Sequence, residues 1–258
     1  MWRSPFVCAL AGQERGVADV RRVVGINATG LPFNSVTAVE RAPGGRTNPM
    51  VNAGALATTS LIQGAGLQER WEYLQAGLSR FAGRALSLDR AILESTRATN
   101  HRNRAIAALL ASFNALEGDA ADATELYTRQ SCLAVTAVDL ATMGATLADG
   151  GVNPVTGERV VDPEVARVTL AVMTVAGLYE TSGDWLLDVG VPGKSGIGGG
   201  IVTISPGKGG LGTFAPPLDA EGNSVKGQLV ARSSLGGLGW TSLPRNLRER
   251  HDRRGQLL

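Results

Sequence analysis

The chain has 258 residues, of which 43% are hydrophobic, 19% charged and 5% aromatic, with 34 glycines and a formal net charge of +2. That apolar share excludes a disordered polymer, and glycine at about twice its usual ~7% share but without a repeating period excludes collagen. No apolar run approaches the ~18 residues of a membrane span, and residues 1–16 hold too short an apolar stretch for a signal peptide. The expectation is a cytoplasmic protein with no membrane partner.

The charge is unevenly placed. Residues 241–258 carry Arg245, Arg248, Arg250, Arg253 and Arg254 against Glu249 and Asp252, a net +3 that leaves residues 1–240 at −1. The chain therefore reads as one domain over 1–240 followed by a basic, disordered tail, with no cationic stripe of the kind that tracks nucleic acid. Lysine is scarce, at Lys194, Lys208 and Lys226 only, so each is a candidate functional amine. Cys8 and Cys132 are too few for a disulfide framework or a zinc site and read as reduced core thiols. His101 and His251 lack partners at ligand spacing. No metal or cofactor is expected.

In chain order, Asn48-Pro49 predicts a capped helix start opening the small-residue segment 50–62. Residues 70–81 form an amphipathic helix with Trp71, Leu74 and Leu78 on one side. Ser87 is placed as the cap of a helix reaching Ser95, and further helices are predicted over 102–116, 121–130, 136–148 and 163–176. Gly150-Gly151 stops the 136–148 helix in the usual glycine manner. The texture then changes to two β-rich runs, 201–205 and 211–215, around Pro206-Gly207-Lys208-Gly209-Gly210, which predicts an antiparallel hairpin. A helix near 224–235 closes the pattern. The fold class is α+β rather than a βαβ alternation, with two strands in want of partners.

Four segments invite chemistry. Lys194-Ser195-Gly196, just before the glycine-rich strand start, is either a pocket-lining cation and hydroxyl or an exposed strand start. Tyr127 is either a tuned general acid or base or a core tyrosine. Asn52 and Asn103 fall on or at the ends of helices, where asparagine is not a preferred interior residue; each could orient an amide or satisfy buried backbone. Tyr179 is placed in a loop that could cover a pocket.

Together, the segments GINATGLPFNSVTAVE, NPMVNAGALATTSLI, HRNRAIAALL, LYTRQS, DLATMGATLADGGVNPVTGERV, AGLYETSGDW and VPGKSGIGGGIVTISPGKGGLGTFAPPLDAEGNSVKG, in this order over roughly 24–230, resemble the serine-dependent bacterial glutaminases. The resemblance implies a β-lactamase/transpeptidase-like fold and hydrolysis of L-glutamine to L-glutamate and ammonia in a homo-oligomer, dimer or tetramer. It implies Tyr127 and Lys194 as catalytic positions, and Asn52, Asn103, Tyr127, Tyr179, Ser195 and the backbone of Ile197 as glutamine-binding positions.

Two departures accompany it. The family's nucleophilic serine and its lysine three residues later, at the start of a buried helix, fall on Trp2 and Pro5, and neither can attack or take a proton. The chain's one Ser-x-x-Lys, Ser205 to Lys208, falls in a hairpin turn and is rejected. The family's glutamate for the substrate ammonium falls on Thr96, with Glu94 about 200° round the helix from it. With the N-terminal strands of the family's sheet also missing, the chain reads as an N-terminally incomplete or degenerate member. The alternative is a non-catalytic homologue that binds or assembles.

Overall fold

The computed structural model describes residues 2–241. Twelve helices and three strands run in the order α1 Ser4–Arg15, α2 Val17–Val24, α3 Val36–Arg41, α4 Asn52–Ser60, α5 Leu67–Ala82, α6 Arg90–Thr99, α7 His101–Ser112, α8 Ala120–Ser131, α9 Ala137–Ala148, α10 Pro163–Ala176, α11 Ser182–Val189, β1 Gly193–Gly196, β2 Gly200–Ser205, β3 Gly209–Phe214 and α12 Val225–Gly237.

The helices form where local signals agree. Thr136 and Asp139 make a reciprocal capping box at the start of α9, satisfying two amides that would otherwise face no partner. α10 begins at Pro163, whose missing N–H costs nothing in a first turn. α1 is different, because Ser4 to Gly12 are all buried. It runs through the centre of the helical layer against α2, α4, α5 and α10, and Phe6 packs on Phe81 with ring centres 5.2 Å apart. Each large side chain sealed in this way contributes about 1.5–3 kcal/mol.

The strands pair antiparallel in the order β1-β2-β3. Successive residues of β2 point to opposite faces. Val202 and Ile204 join the large core with Leu140 and Met143 of α9, whereas Ile201 joins Trp185, Val189, Ala231 and Leu235. Both faces are thus covered. Glycine permits it: a Cβ on Gly212 would lie 2.0 Å from the carbonyl oxygen of Ala137, so only a bare Cα lets α9 lie this close to β3.

Several expectations are corrected here. Asn48 does not open the helix; its Oδ1 accepts from the Met50 amide at 3.0 Å, and α4 starts four residues later. Asp89, not Ser87, caps α6 by accepting from the Ile92 amide at 3.0 Å. The helix expected over 102–116 stops at Ser112, with Asn114 turned to φ 54°. Lys194-Ser195-Gly196 is neither a loop nor an exposed strand start but the buried strand β1, which gives the hairpin its third member. Tyr179 is not in an open loop; it is buried and begins the one-turn 3-10 helix Tyr179–Thr181. The tail expected over 241–258, with His251, lies beyond Thr241 outside the described residues.

Candidate functional site

A cleft of about 700 Å³ opens between the helical layer and the sheet. One wall comes from α4, α7 and α8, and the other from the 197–200 turn, Leu140 and Phe214. Trp2 and Arg3 close its floor.

The helical wall carries a continuous relay of side-chain hydrogen bonds. The Tyr127 hydroxyl donates to Asn52 Oδ1 at 3.4 Å, and Asn52 Nδ2 donates to Asn103 Oδ1 at 2.9 Å. Asn103 Nδ2 donates to Asn100 Oδ1 at 2.6 Å, and Asn100 Nδ2 to Thr128 Oγ1 at 2.8 Å. Each asparagine accepts one bond and donates one, so each amide nitrogen keeps a second N–H for another partner. Neutral amides can line a half-buried wall because the chain of bonds replaces water. Burial raises the pKa of the Tyr127 phenol, with Arg3 opposing, which keeps it protonated. Asn100 and Thr128 were not singled out from sequence. Their i, i+3 and i, i+1 spacing to Asn103 and Tyr127 was the available signal.

Arg3 was also missed. It is 7% exposed and its guanidinium stacks on the Trp2 ring 4.1 Å from the centre. One terminal nitrogen donates to the carbonyl of Leu133, while Nε has no partner. Burial lowers its pKa to about 9, so it remains a cation at neutral pH.

The strand side holds a second group that does not line the cleft. Lys194 is fully buried, donates to the Ser195 carbonyl and sits 4.1 Å from the Tyr179 ring centre. With no carboxylate beside it, burial alone pushes its pKa well below the usual lysine value, favouring the neutral amine. The Tyr179 hydroxyl donates to the same carbonyl at 3.1 Å. Tyr179 holds φ 58°, a strained conformation for a non-glycine residue, and stacks on Phe33 at 4.9 Å. The Ser195 hydroxyl is buried without a partner.

Trp2 lines the cleft and packs on Gly196, where an added Cβ would lie 3.0 Å from the Trp2 amide nitrogen. Pro5 follows in the first turn of α1 and is buried, so the two positions matched to the nucleophile and its lysine do lie at a buried helix start. Thr96 lines the cleft with its hydroxyl donating to the Ile92 carbonyl at 2.7 Å. Ile197 lines it with its side chain exposed. The rejected Ser205 and Lys208 lie away from it, bonded to the carbonyls of Trp240 and Gly239 at 2.6 Å each. His101 is exposed beside Arg104. Among the described residues no group of three or more metal-ligating side chains could hold an ion, and no helix is long and apolar enough to cross a membrane.

The glutaminase family profile matches residues 3–240. The chain is 63% identical over 228 residues to "Glutaminase 2" of Yersinia pestis, covering 88% of this chain and 67% of that protein. It is 48% identical over 234 residues to a glutaminase of Brucella suis biovar 1, covering 91% and 74%. Among solved structures, the probable glutaminase ybaS superposes with a TM-score of 0.90 at 45% identity, covering 92% of this chain and 77% of that one. The Bacillus subtilis glutaminase YbgJ, in covalent complex with 5-oxo-L-norleucine, superposes at 0.83 with 29% identity, covering 93% and 79%.

Proposed function

The chain belongs to the glutaminase family, and from that premise we propose that the cleft is a glutamine site, with the side-chain amide on the Asn52–Asn103 wall. The family reaction is hydrolysis of L-glutamine to L-glutamate and ammonia. The observation that carries the reading is the relay, whose three asparagines line the cleft and each keep one N–H uncommitted by it. Such donors suit the oxygen of a carboxamide, and they hold most tightly when that oxygen gains negative charge. Tyr127, protonated and hydrogen-bonded to the same wall, is the group placed to hand a proton to departing ammonia.

The covalent half of the reaction is what this chain lacks. Trp2 offers no oxygen or sulfur to attack the amide carbon, and Pro5 offers no amine to take a proton. Lys194 does not line the cleft, and burial disfavours its charged form. We therefore expect hydrolysis by this 258-residue chain to run at least about 10³-fold below that of a relative bearing the serine and lysine, since losing such a nucleophile costs several orders of magnitude. Ammonia release from L-glutamine, measured for the chain and for Tyr127→Phe, tests this. Turnover at a relative's rate that vanishes in the variant would overturn it. Cytoplasmic location and a homo-oligomeric dimer or tetramer belong to the same reading, and light scattering on the eluted protein tests the second.

One observation favours a second reading. Because Trp2 and Pro5, at the start of α1, supply neither a nucleophile nor a base, the protein also suits a binding or assembly role in which glutamine is held without being cleaved. Calorimetric binding of glutamine without ammonia release would support it.

A further inference from the structure

The cleft extends well beyond the amide wall. Asp89, Ile92, Thr96 and Asn100 all line it, and their spacing puts them on one face of α6 and its two caps. At 1.5 Å per residue, Asn100 to Thr96 spans about 6 Å, and Thr96 to Asp89 a further ~10 Å. The asparagine relay occupies the Asn100 end. Ile92, Ile197 and Phe214 line the same cleft with 53%, 52% and 66% of their surface exposed. Large apolar side chains gathered open in a cleft mark a surface that a ligand covers. Free glutamine, with its short aliphatic stem, is too small to cover all three.

Asp89 stands at the far end and is the one acidic residue lining the cleft. It is half-buried, and its Oδ1 accepts from the Ile92 amide at 3.0 Å. Its Oδ2 has no hydrogen-bond or ion-pair partner among the described residues. A carboxylate left half-engaged in this way suits a ligand cation. The one cation lining the cleft, Arg3, is tied at the floor to the Leu133 carbonyl. The ligand that matches therefore has a carboxamide at one end, apolar bulk in the middle and an ammonium at the other. Three residues of extended chain cover the ~10 Å from Thr96 to Asp89.

Resting on the reading of the cleft as an amide site, we propose that it takes, besides free glutamine, glutamine carried by a short peptide whose N-terminal ammonium meets Asp89. The side-chain amide lies on Asn52 and Asn103, the three preceding residues run along α6, and an apolar side chain among them packs on Ile92. Free glutamine fills only the inner part of the same cleft.

Titration calorimetry on the full chain tests this with L-glutamine, glycyl-leucyl-alanyl-glutaminamide and the N-acetylated form of that peptide. The free-amine peptide is expected to bind at least about tenfold more tightly than glutamine. Acetylation should weaken it about fivefold at low salt, and the gap should narrow as salt rises. Asp89→Asn should close the gap, because asparagine caps a helix as well as aspartate and removes only the charge. Should that variant melt far below the parent chain, the acetylation comparison stands without it. A peptide no tighter than glutamine, an acetylated form that matches the free amine, or a gap that survives in folded Asp89→Asn would overturn the extension and leave the amide site standing. If neither glutamine nor the peptide binds, the amide site falls with it. An oligomer in light scattering that the peptide neither enters nor disperses would assign the open apolar groups to a second copy and overturn the proposal.

Discussion

The two sides of the site bury polar groups in opposite ways. On the helical wall, Tyr127, Asn52, Asn103, Asn100 and Thr128 pass hydrogen bonds from one to the next, and every member is neutral. On the strand side, by contrast, a lysine amine and a tyrosine hydroxyl converge on the single carbonyl of Ser195, while the Ser195 hydroxyl has no partner. Amides carry both donors and acceptors, so they can be chained at little cost. An amine without an anion is buried at a cost that disfavours its charged form. The helical wall is therefore satisfied by its own side chains bonding across α4, α7 and α8, whereas the strand compartment depends on packing to hold a strained Tyr179 and a buried Lys194.

Backbone contact should break the strand compartment most severely. A Cβ on Gly177 would lie 1.8 Å from the Gly193 carbonyl oxygen, with no flexible side chain to yield. Gly177→Ala is expected to cost about 3 kcal/mol or more, lowering Tm by roughly 6–12 °C in a domain of this size. Calorimetric melting would detect it, and an unchanged Tm would refute the close approach of Gly177 to β1.

Lys194→Met sharpens the comparison with the opposite sign. The folded state holds the amine below its usual pKa, so in the acid direction the unfolded chain takes up a proton that the folded one resists. Native stability therefore rises with pH from the folded pKa up to the unfolded value of about 10.5. The variant, having nothing to protonate, is expected to be more stable by about 1–3 kcal/mol at neutral pH, with the gain vanishing toward pH ~10.5. Denaturant titrations across pH would read this, and a loss of stability at pH 7 would show that the amine is satisfied as a cation.

On the helical wall, Asn100→Ala interrupts the relay and strands the Asn103 amide. A cost of about 1–2 kcal/mol is expected, together with weaker ligand binding through Asn52. A variant as stable as the parent would mean that the relay is ornamental to folding. The smallest effect concerns Cys8. Burial pushes its thiol up to about 12, so it should resist thiol reagents at pH 8 in the folded chain and react fully in denaturant. Rapid labelling of folded Cys8 would contradict its place inside α1.

The helices legible in the sequence were those with their own signals. The stretch expected over 163–176 matches α10, and those over 121–130 and 136–148 match α8 and α9 to within a residue at each end. The hairpin was read at the right turn as well. β1 was not, because Gly193-Lys194-Ser195-Gly196 has no alternating β-branched residues, and only pairing with β2 and the Ser195 amide bond to the Gly177 carbonyl make it a strand. The Asn52, Asn103, Tyr127 and Ile197 positions came from the family resemblance, and all four line one cleft.

Residue types, helix caps and turn chemistry act over a few positions, so the sequence by itself determined the helical segments, the hairpin and the family. Tertiary structure decided what lies beside what. Trp2 lines the cleft and packs on Gly196, and Arg3 is buried through a carbonyl 130 residues away. Burial and charge balance are sums over contacts from the whole chain, and no local pattern in the sequence carries them.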